Sequence, residues 1–281
     1  MISLAIIIID EYCNMLLKRI NFLRECNIFR NFVFLVSEQN LIERFEMKKI
    51  FTLALSLLFI YGGDKLSAQK NNETRYPGPF SKIVATGNVR VELYPSDSSY
   101  ISIEVEGTTL DNLITETNDE GEYAIRLKTN TPREAKVLAK LYFQQLEALT
   151  AENQALITGN KIVALDDADF IARSGGKIEL EINIKNLTAE AKKGGVMVLS
   201  GSVEKQQVEV TTGGTYSAYK LEARDSYVKS STGGIAKVVS RRIMDATANA
   251  KGFIGYVGNP VSTYTKSNLG GEIDNFKEIP Q

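Results

Sequence analysis

Apolar and polar residues alternate along much of the chain from residue 80 onward. The alternation is regular in 89–94, 101–105 and 123–127, where apolar side chains occupy every second position. Successive side chains of a β-strand point to opposite faces, so a period of two predicts strands that are buried on one face. We therefore expect several short strands before residue 128.

Residues 133–157 are open to two interpretations. They are rich in Ala, Leu, Glu and Gln, and the intrinsic propensities of these residues favour a helix. Val137, Ala139, Leu141 and Phe143 nevertheless follow a period of two, and strands are predicted on both sides. We predict strand–turn–strand, because tertiary stacking overrides a weak propensity; the alternative is a short helix.

Glycine recurs at almost constant spacing in the C-terminal half, mostly as Gly-Gly. The first glycines of six such turns lie 19, 19, 20, 19 and 18 residues apart. A period near 20 residues is typical of a solenoid, in which each coil is buried only by stacking on its neighbours. We expect corners of the coils at six glycines: Gly175, Gly194, Gly213, Gly233, Gly252 and Gly270.

The predicted fold class is all-β, a parallel β-helix (β-solenoid) with coils of about 20 residues. One domain over 80–276 would hold N-terminal strands in 80–158 and glycine-cornered repeats in 159–276. Inward Val, Ile and Leu would form ladders between coils stacked about 4.8 Å apart. The glycines are interpreted as corners and not as calcium-binding repeats, since they lack the third glycine and the aspartate of that motif.

A segment near the N-terminus has the three-part pattern of a secretory signal peptide. Met47-Lys48-Lys49 is followed by an apolar run over 50–60, and Ala68 offers a small residue for cleavage. We predict a signal peptide over 47–68, then a disordered leader over 69–79. The mature chain is expected to be exported, without membrane insertion, to the periplasm, the cell surface or the medium.

Residues 1–46 precede this signal, whereas a signal peptide acts at an N-terminus. We expect translation to begin at Met47, with 1–46 a gene-calling artefact. The alternative is a genuine cytoplasmic extension that turns the segment into a membrane anchor. The apolar run has only about half of the roughly 20 residues that a spanning helix needs, which disfavours that alternative.

Composition excludes several kinds of chemistry. The chain has no histidine, and both cysteines, Cys13 and Cys26, lie before the predicted cleavage site. The mature chain therefore cannot form a His-dependent nucleophile or an ordinary zinc site, and we expect neither a metal nor a cofactor. A formal net charge of −1 gives no indication of nucleic-acid binding.

One acidic cluster is the best candidate for catalysis. Asp166, Asp167 and Asp169 lie close together, and glycoside hydrolysis normally uses two carboxyl groups across the scissile bond. Because several polysaccharide-degrading enzymes are β-helices, a hydrolase or lyase remains the alternative function. We interpret the cluster as a solvated turn and predict a protein that is not an enzyme.

Tyrosines in the repeats are the candidate ligand contacts. Tyrosine stacks on sugars and peptides with little loss of conformational entropy. We select Tyr216, Tyr219 and Tyr256 as contacts on a lateral sheet face. The alternative is that tyrosines of a solenoid cover the apolar core or form ladders.

Residues from Phe80 to Phe276 resemble the head GIN domain family of auto-transporter adhesins, from exported Bacteroidetes proteins. The resemblance rests on the opening segment 80–91, the serial glycine turns, GYVGNP at 255–260 and SNLGGEI at 267–273. This chain has Gly-Gly where the family often has Gly-Ser-Gly. The resemblance implies a right-handed β-helix on an exported protein, and it brings no established ligand or catalytic residue.

These observations predict an exported, non-enzymatic, adhesin-like protein that presents a repetitive surface to a glycan, an envelope component or a protein. A purely structural envelope protein is a further alternative. The open ends of a solenoid need a cap or a partner, which allows a homo-oligomer. We expect the N-terminal strands of 80–128 to cover one end, with the other end near Phe276.

Overall fold

The computed structural model describes residues 71–279. The predicted signal peptide over 47–68 and the upstream segment over 1–46 lie outside these residues. Within the described part, no helix has the length and apolarity required to cross a membrane.

The described residues form eighteen β-strands and one 3₁₀ turn, Leu110–Asn112. The N-terminal strands are β1 (Asn71–Arg75), β2 (Lys82–Thr86), β3 (Val89–Pro95), β4 (Tyr100–Glu106), β5 (Leu113–Thr117), β6 (Glu122–Leu127), β7 (Lys136–Phe143), β8 (Ala148–Glu152) and β9 (Leu156–Gly159). The repeat strands are β10 (Val163–Arg173), β11 (Lys177–Lys192), β12 (Val196–Thr211), β13 (Thr215–Ser230), β14 (Ile235–Val239), β15 (Ile243–Asn249), β16 (Phe253–Val257), β17 (Ser262–Asn268) and β18 (Glu272–Phe276).

The repeats form a parallel β-solenoid of about seven turns, with coils about 19 residues apart. Lys177 of β11 pairs with Val196 of β12, and pairing continues in the same register to the ends of both strands. The fold class predicted from the glycine spacing is confirmed.

Each long strand has two halves, since the pairing of β11 with β12 skips Lys185 and β13 pairs with β14 in its first half and with β15 in its second. The first halves of β11, β12 and β13 continue through β14, β16 and β18, and we call this ladder the leading sheet. The second halves continue through β15 and β17 as the trailing sheet. Apolar side chains of both sheets face inward into one continuous core.

The N-terminal strands are not stacked in chain order. β2 pairs in parallel with both β6 and β8, and β3 pairs in parallel with both β7 and β9. The coil of β2 and β3 therefore lies between two coils that come later in the sequence. Antiparallel strands cover this end of the stack: β5 on β6, β4 on β7, and β1 on β4.

Part of the predicted disordered leader over 69–79 is instead a strand. β1 runs antiparallel to β4, with Glu73 opposite Ile103. The guanidinium of Arg75 donates a hydrogen bond to the hydroxyl of Thr115 at 2.7 Å, which ties β1 to β5. The polar composition of 71–75 does not predict a strand. The segment forms one because the open edge of β4 offers backbone hydrogen-bond partners to it.

Residues 133–157 contain β7, β8 and the beginning of β9, so the prediction of strands over helix is confirmed. Val137, Ala139 and Leu141 are at most 2% exposed and face the core. Tertiary burial thus outweighs the helical propensity of the segment.

The two glycines of a turn have different roles. In the turn between β12 and β13, Thr212 and Gly213 have φ of 51° and 70°, the left-handed region that favours glycine. At Gly214 the constraint is space, because a Cβ atom would lie 2.2 Å from the carbonyl oxygen of Ala191 in the preceding coil.

Gly252 differs from the other five predicted corner glycines. In its turn, Ala250 and Lys251 have φ of 46° and 63°, so they occupy the left-handed positions. Gly252 takes the position where the backbones approach closely, and its Cβ atom would lie 2.5 Å from the carbonyl oxygen of Ser230. Gly252 therefore corresponds to the second glycine of the other turns, such as Gly214.

Candidate functional site

Tyr216 and Tyr256 are core residues. Tyr216 is fully buried and Tyr256 is 7% exposed, because the period of two turns both side chains inward. The hydroxyl of Tyr216 donates to Oε1 of Gln206 at 2.7 Å, and burial raises the pKa of this phenol. The prediction that these two tyrosines contact a ligand on a sheet face is therefore wrong.

Tyr219 lies on the outer face of the leading sheet and is half-buried. Tyr219 lies within a β-bulge that shifts the register between β12 and β13, so Val198 pairs with Ser217 whereas Ser200 pairs with Lys220. The ammonium of Lys237 lies 5.9 Å from the centroid of the Tyr219 ring. Partial burial raises the pKa of the Tyr219 phenol, and the nearby charge of Asp274 adds to this effect.

Three aromatic rings cover Gly255 on this outer face. A Cβ atom at Gly255 would lie 2.6 Å from the hydroxyl oxygen of Tyr219, 2.9 Å from the ring of Phe276 and 3.1 Å from the ring of Phe253. Because Phe276 ends β18, the last strand among residues 71–279, this packing holds the end of that strand against the sheet. We assign the cluster a structural role.

The acidic cluster lies within β10 and not in a turn. Asp166 forms an ion pair with Lys185 at 2.6 Å, and Oδ1 of Asp167 accepts a hydrogen bond from Asn186 at 2.8 Å. Asp167 and Asp169 are exposed, as is Asp166, whose side chain is 75% exposed. Among the described residues, no group of three or more His, Cys, Asp or Glu side chains could hold a metal ion.

A ladder of tyrosines crosses the outer face of the leading sheet at its N-terminal end. The ring of Tyr142 on β7 stacks on Tyr100 of β4 at 4.1 Å between centroids, with an interplanar angle of 8°. On its other side it stacks on Tyr94 of β3 at 4.9 Å. Tyr76, which follows β1 and is 80% exposed, extends the row at 6.3 Å from Tyr100. We call these four residues the tyrosine ladder.

Backbone pairing fixes the tyrosine ladder. Tyr142 is directly opposite Tyr94 in the parallel pair of β3 and β7, and opposite Tyr100 in the antiparallel pair of β4 and β7. Aromatic pairs in these positions stabilise a sheet. Desolvation and the neighbouring Tyr142 raise the pKa of the Tyr100 phenol, so all of its titration lies above neutral pH.

A shallow groove of about 690 Å³ adjoins the tyrosine ladder on the same strands. The carboxylate of Glu92 connects the two features, since it accepts a hydrogen bond from the Tyr94 hydroxyl at 3.3 Å and pairs with Arg90 at 3.4 Å. Charges of both signs line the groove: Arg90, Glu92, Glu104, Glu106 and Lys136. The surface is thus aromatic on one side and carries three carboxylates and two cations on the other.

Sequence reasoning missed the tyrosine ladder because its members lie outside the glycine period. Tyr94 and Tyr142 are 48 residues apart, and Tyr76 lies in the segment predicted to be disordered. Their one local signal is the end-of-strand position of Tyr94 and Tyr142 in two alternating segments. That signal does not identify which strands are neighbours.

The sequence profile of the family described as "Putative auto-transporter adhesin, head GIN domain" matches residues 79–260. The chain belongs to this family. None of the curated proteins is detectably similar in sequence.

Solved structures from three Bacteroidetes species share the fold. A "putative adhesin" from Bacteroides fragilis is 15% identical with a TM-score of 0.64, and one from Parabacteroides merdae is 16% identical with a TM-score of 0.54. A "putative lipid binding protein" from Parabacteroides distasonis is 20% identical with a TM-score of 0.60. Each match covers 75% of this chain and 98% of the other. At these identities the likeness establishes the fold alone.

Proposed function

We propose that this protein is an exported, non-enzymatic, adhesin-like binding protein, and that its target is a glycan held on the tyrosine ladder and the adjoining groove. The tyrosine ladder carries the proposal, because it is an aromatic surface in a family named for adhesion. The secretory pattern over 47–68 supports export.

The chemistry of the surface favours a glycan. Stacked rings offer an apolar ridge at low entropic cost, since a tyrosine has few rotatable bonds, and their hydroxyl groups can hydrogen-bond to sugar hydroxyls. The groove beside them mixes carboxylates, an ammonium and a guanidinium, and Arg90 is paired with Glu92. A neutral polar ligand suits such a surface better than a strongly charged one.

The acidic cluster supports binding over catalysis. The carboxylate of Asp166 pairs with Lys185, that of Asp167 accepts a hydrogen bond from Asn186, and the cluster is open to water. A catalytic general acid normally needs a raised pKa, and burial is the usual means of raising it. We therefore keep hydrolysis of polysaccharides as the outcome that would refute the proposal.

A glycan array followed by titration of the best hit tests the proposal. Tyr142→Ala removes the ring with two stacked neighbours and is expected to weaken binding at least about tenfold, or about 1.4 kcal/mol. Tyr227→Ala is the matched control, because Tyr227 is a partly exposed tyrosine of β13 that lies outside both the tyrosine ladder and β17. Equal affinity of the Tyr142→Ala variant and the wild-type protein would refute this site, and release of reducing sugars would refute the non-enzymatic role.

A further inference from the structure

The two ends of the solenoid differ. The N-terminal end is covered by the antiparallel strands β1, β4 and β5. At the other end, β17 pairs with β15 and β18 with β16, and no further strand follows among residues 71–279. Six of the seven residues of β17 are exposed. We call β17 and β18 the C-terminal edge.

The backbone groups that face outward along β17 can be identified. The amide of Ser262 donates to the carbonyl of Arg242, so Ser262 faces the preceding coil. Alternate residues of a strand direct their N–H and C=O groups to opposite sides. Thr263, Thr265 and Ser267 therefore present three amides and three carbonyls to the outside of the stack.

The inward side chains of β17 also differ in polarity from those at the same positions in the preceding coil. In the preceding coil the corresponding inward positions are the buried apolar residues Met244, Ala246 and Ala248. In β17 the inward side chains all carry hydroxyl groups, which can hydrogen-bond to a further strand. The usual protections of an edge are weak here, since β17 is seven residues long and contains one charge and no proline.

We propose that β17 pairs antiparallel with β17 of a second copy of this chain, which gives a two-fold symmetric, tail-to-tail dimer. A register centred on Thr265 places each Tyr264 opposite Lys266 of the partner subunit. The same register places each Thr263 opposite Ser267 of the partner subunit. Cross-strand hydroxyl pairs and cation–π pairs both stabilise adjacent strands.

This chain already uses Lys–Tyr contacts between neighbouring coils. The ammonium of Lys205 lies 5.4 Å from the ring centroid of Tyr227, and that of Lys237 lies 5.9 Å from the ring centroid of Tyr219. A two-fold contact requires only that one surface be complementary to itself, and β17 meets this condition through its Tyr264–Lys266 pairs and its hydroxyl pairs. Glu272 and Asp274 give β18 two negative charges, so we expect pairing along β17 alone.

Sedimentation equilibrium of the secreted protein over a range of concentrations tests the dimer. Thr265→Pro removes an outward amide, and Lys266→Glu removes the charge that faces Tyr264. Each variant alters two symmetry-related contacts and is expected to weaken self-association at least about tenfold. Lys193→Glu makes the same charge change in an exposed turn away from the edge and should leave the dimer intact.

Three results would overturn the proposal. They are a monomeric wild-type protein at its highest soluble concentration, a dimer that persists in Lys266→Glu, and equal weakening by Lys193→Glu. Circular dichroism establishes whether Thr265→Pro is folded, and if it is not, Lys266→Glu decides. Because glycan binding is measured on the opposite end of the stack, loss of the dimer with retained binding separates this inference from the proposed function.

Discussion

The phenol oxygen of Tyr216 lies 2.7 Å from Oε1 of Gln206, and both side chains are fully buried. The amide of Gln206 in turn donates to Oγ of Ser226 at 2.8 Å, and that hydroxyl donates to the carbonyl of Val239 at 3.3 Å. A polar chain thus crosses an otherwise apolar core, and each member has a partner. Such groups are stabilising only while they remain paired.

Tyr216→Phe is expected to destabilise the protein by about 1–3 kcal/mol, because it leaves a buried oxygen of Gln206 without its donor. Urea unfolding of the two proteins measures the difference. Tyr264→Phe is the matched control, since Tyr264 is 65% exposed, and should stay within about 0.5 kcal/mol of wild type. Equal stability of Tyr216→Phe and wild type would contradict the prediction.

The second prediction ranks two glycine substitutions in one turn by how much each destabilises the protein. Gly213→Ala places a side chain at φ of 70° with nothing within 4 Å, so the cost is conformational, about 1–2 kcal/mol. Gly214→Ala would bring a Cβ atom to 2.2 Å from a carbonyl oxygen, which requires the coils to separate. We expect the second change to be clearly more destabilising in thermal or urea unfolding. The opposite order would refute this assignment of the two positions.

Two adjacent arginines provide a matched pair for a third prediction. Arg242 pairs with both carboxylate oxygens of Asp225, whose side chain is only 9% exposed, whereas Arg241 pairs with Glu222, which is 54% exposed. Arg242→Gln leaves the nearly buried carboxylate of Asp225 with only the more distant Arg224 and should therefore destabilise the protein more than Arg241→Gln does. Arg241→Gln should cost at most about 1 kcal/mol. Similar losses in unfolding free energy for both variants would contradict this.

The attachment of β1 gives a pH-dependent prediction. A hydrogen bond from Arg75 holds the pKa of Glu73 below its ordinary value of 4.5. Between the lowered pKa of Glu73 in the folded protein and the ordinary value of 4.5, the unfolded segment binds more protons than the folded one. The stability of β1 therefore rises with pH in this range. The contribution is therefore complete above pH 4.5 and is lost as the pH falls through the lowered value.

Hydrogen exchange of the β1 amides measures this effect. Protection in the wild-type protein should exceed that in Glu73→Gln at neutral pH, and the difference should vanish in acid. Because Glu73 lies near the surface, the effect will be small and will decrease with added salt. A difference between the two proteins that persists unchanged in acid would show that the charge of Glu73 is not its cause.

The sequence by itself determined the strands and the coil length. Alternating apolar residues report burial on one face, which is a local property of a strand. The glycine spacing reports the turn of each coil, because the tight corner and the close approach of neighbouring backbones both exclude larger residues there. Even 133–157 was assigned correctly, since its alternation outweighed its helical composition.

Only the tertiary structure decided which strands are neighbours. β7 lies between β3 and β4, which brings Tyr142 between Tyr94 and Tyr100, and no period in the chain indicates this insertion. The alternation of a strand puts Tyr216 and Tyr219, three residues apart, on opposite faces, and the structure shows that Tyr216 is the one in the core. Local periodicity records how each strand is buried, whereas strand order and register depend on hydrogen bonds between segments that are distant in sequence.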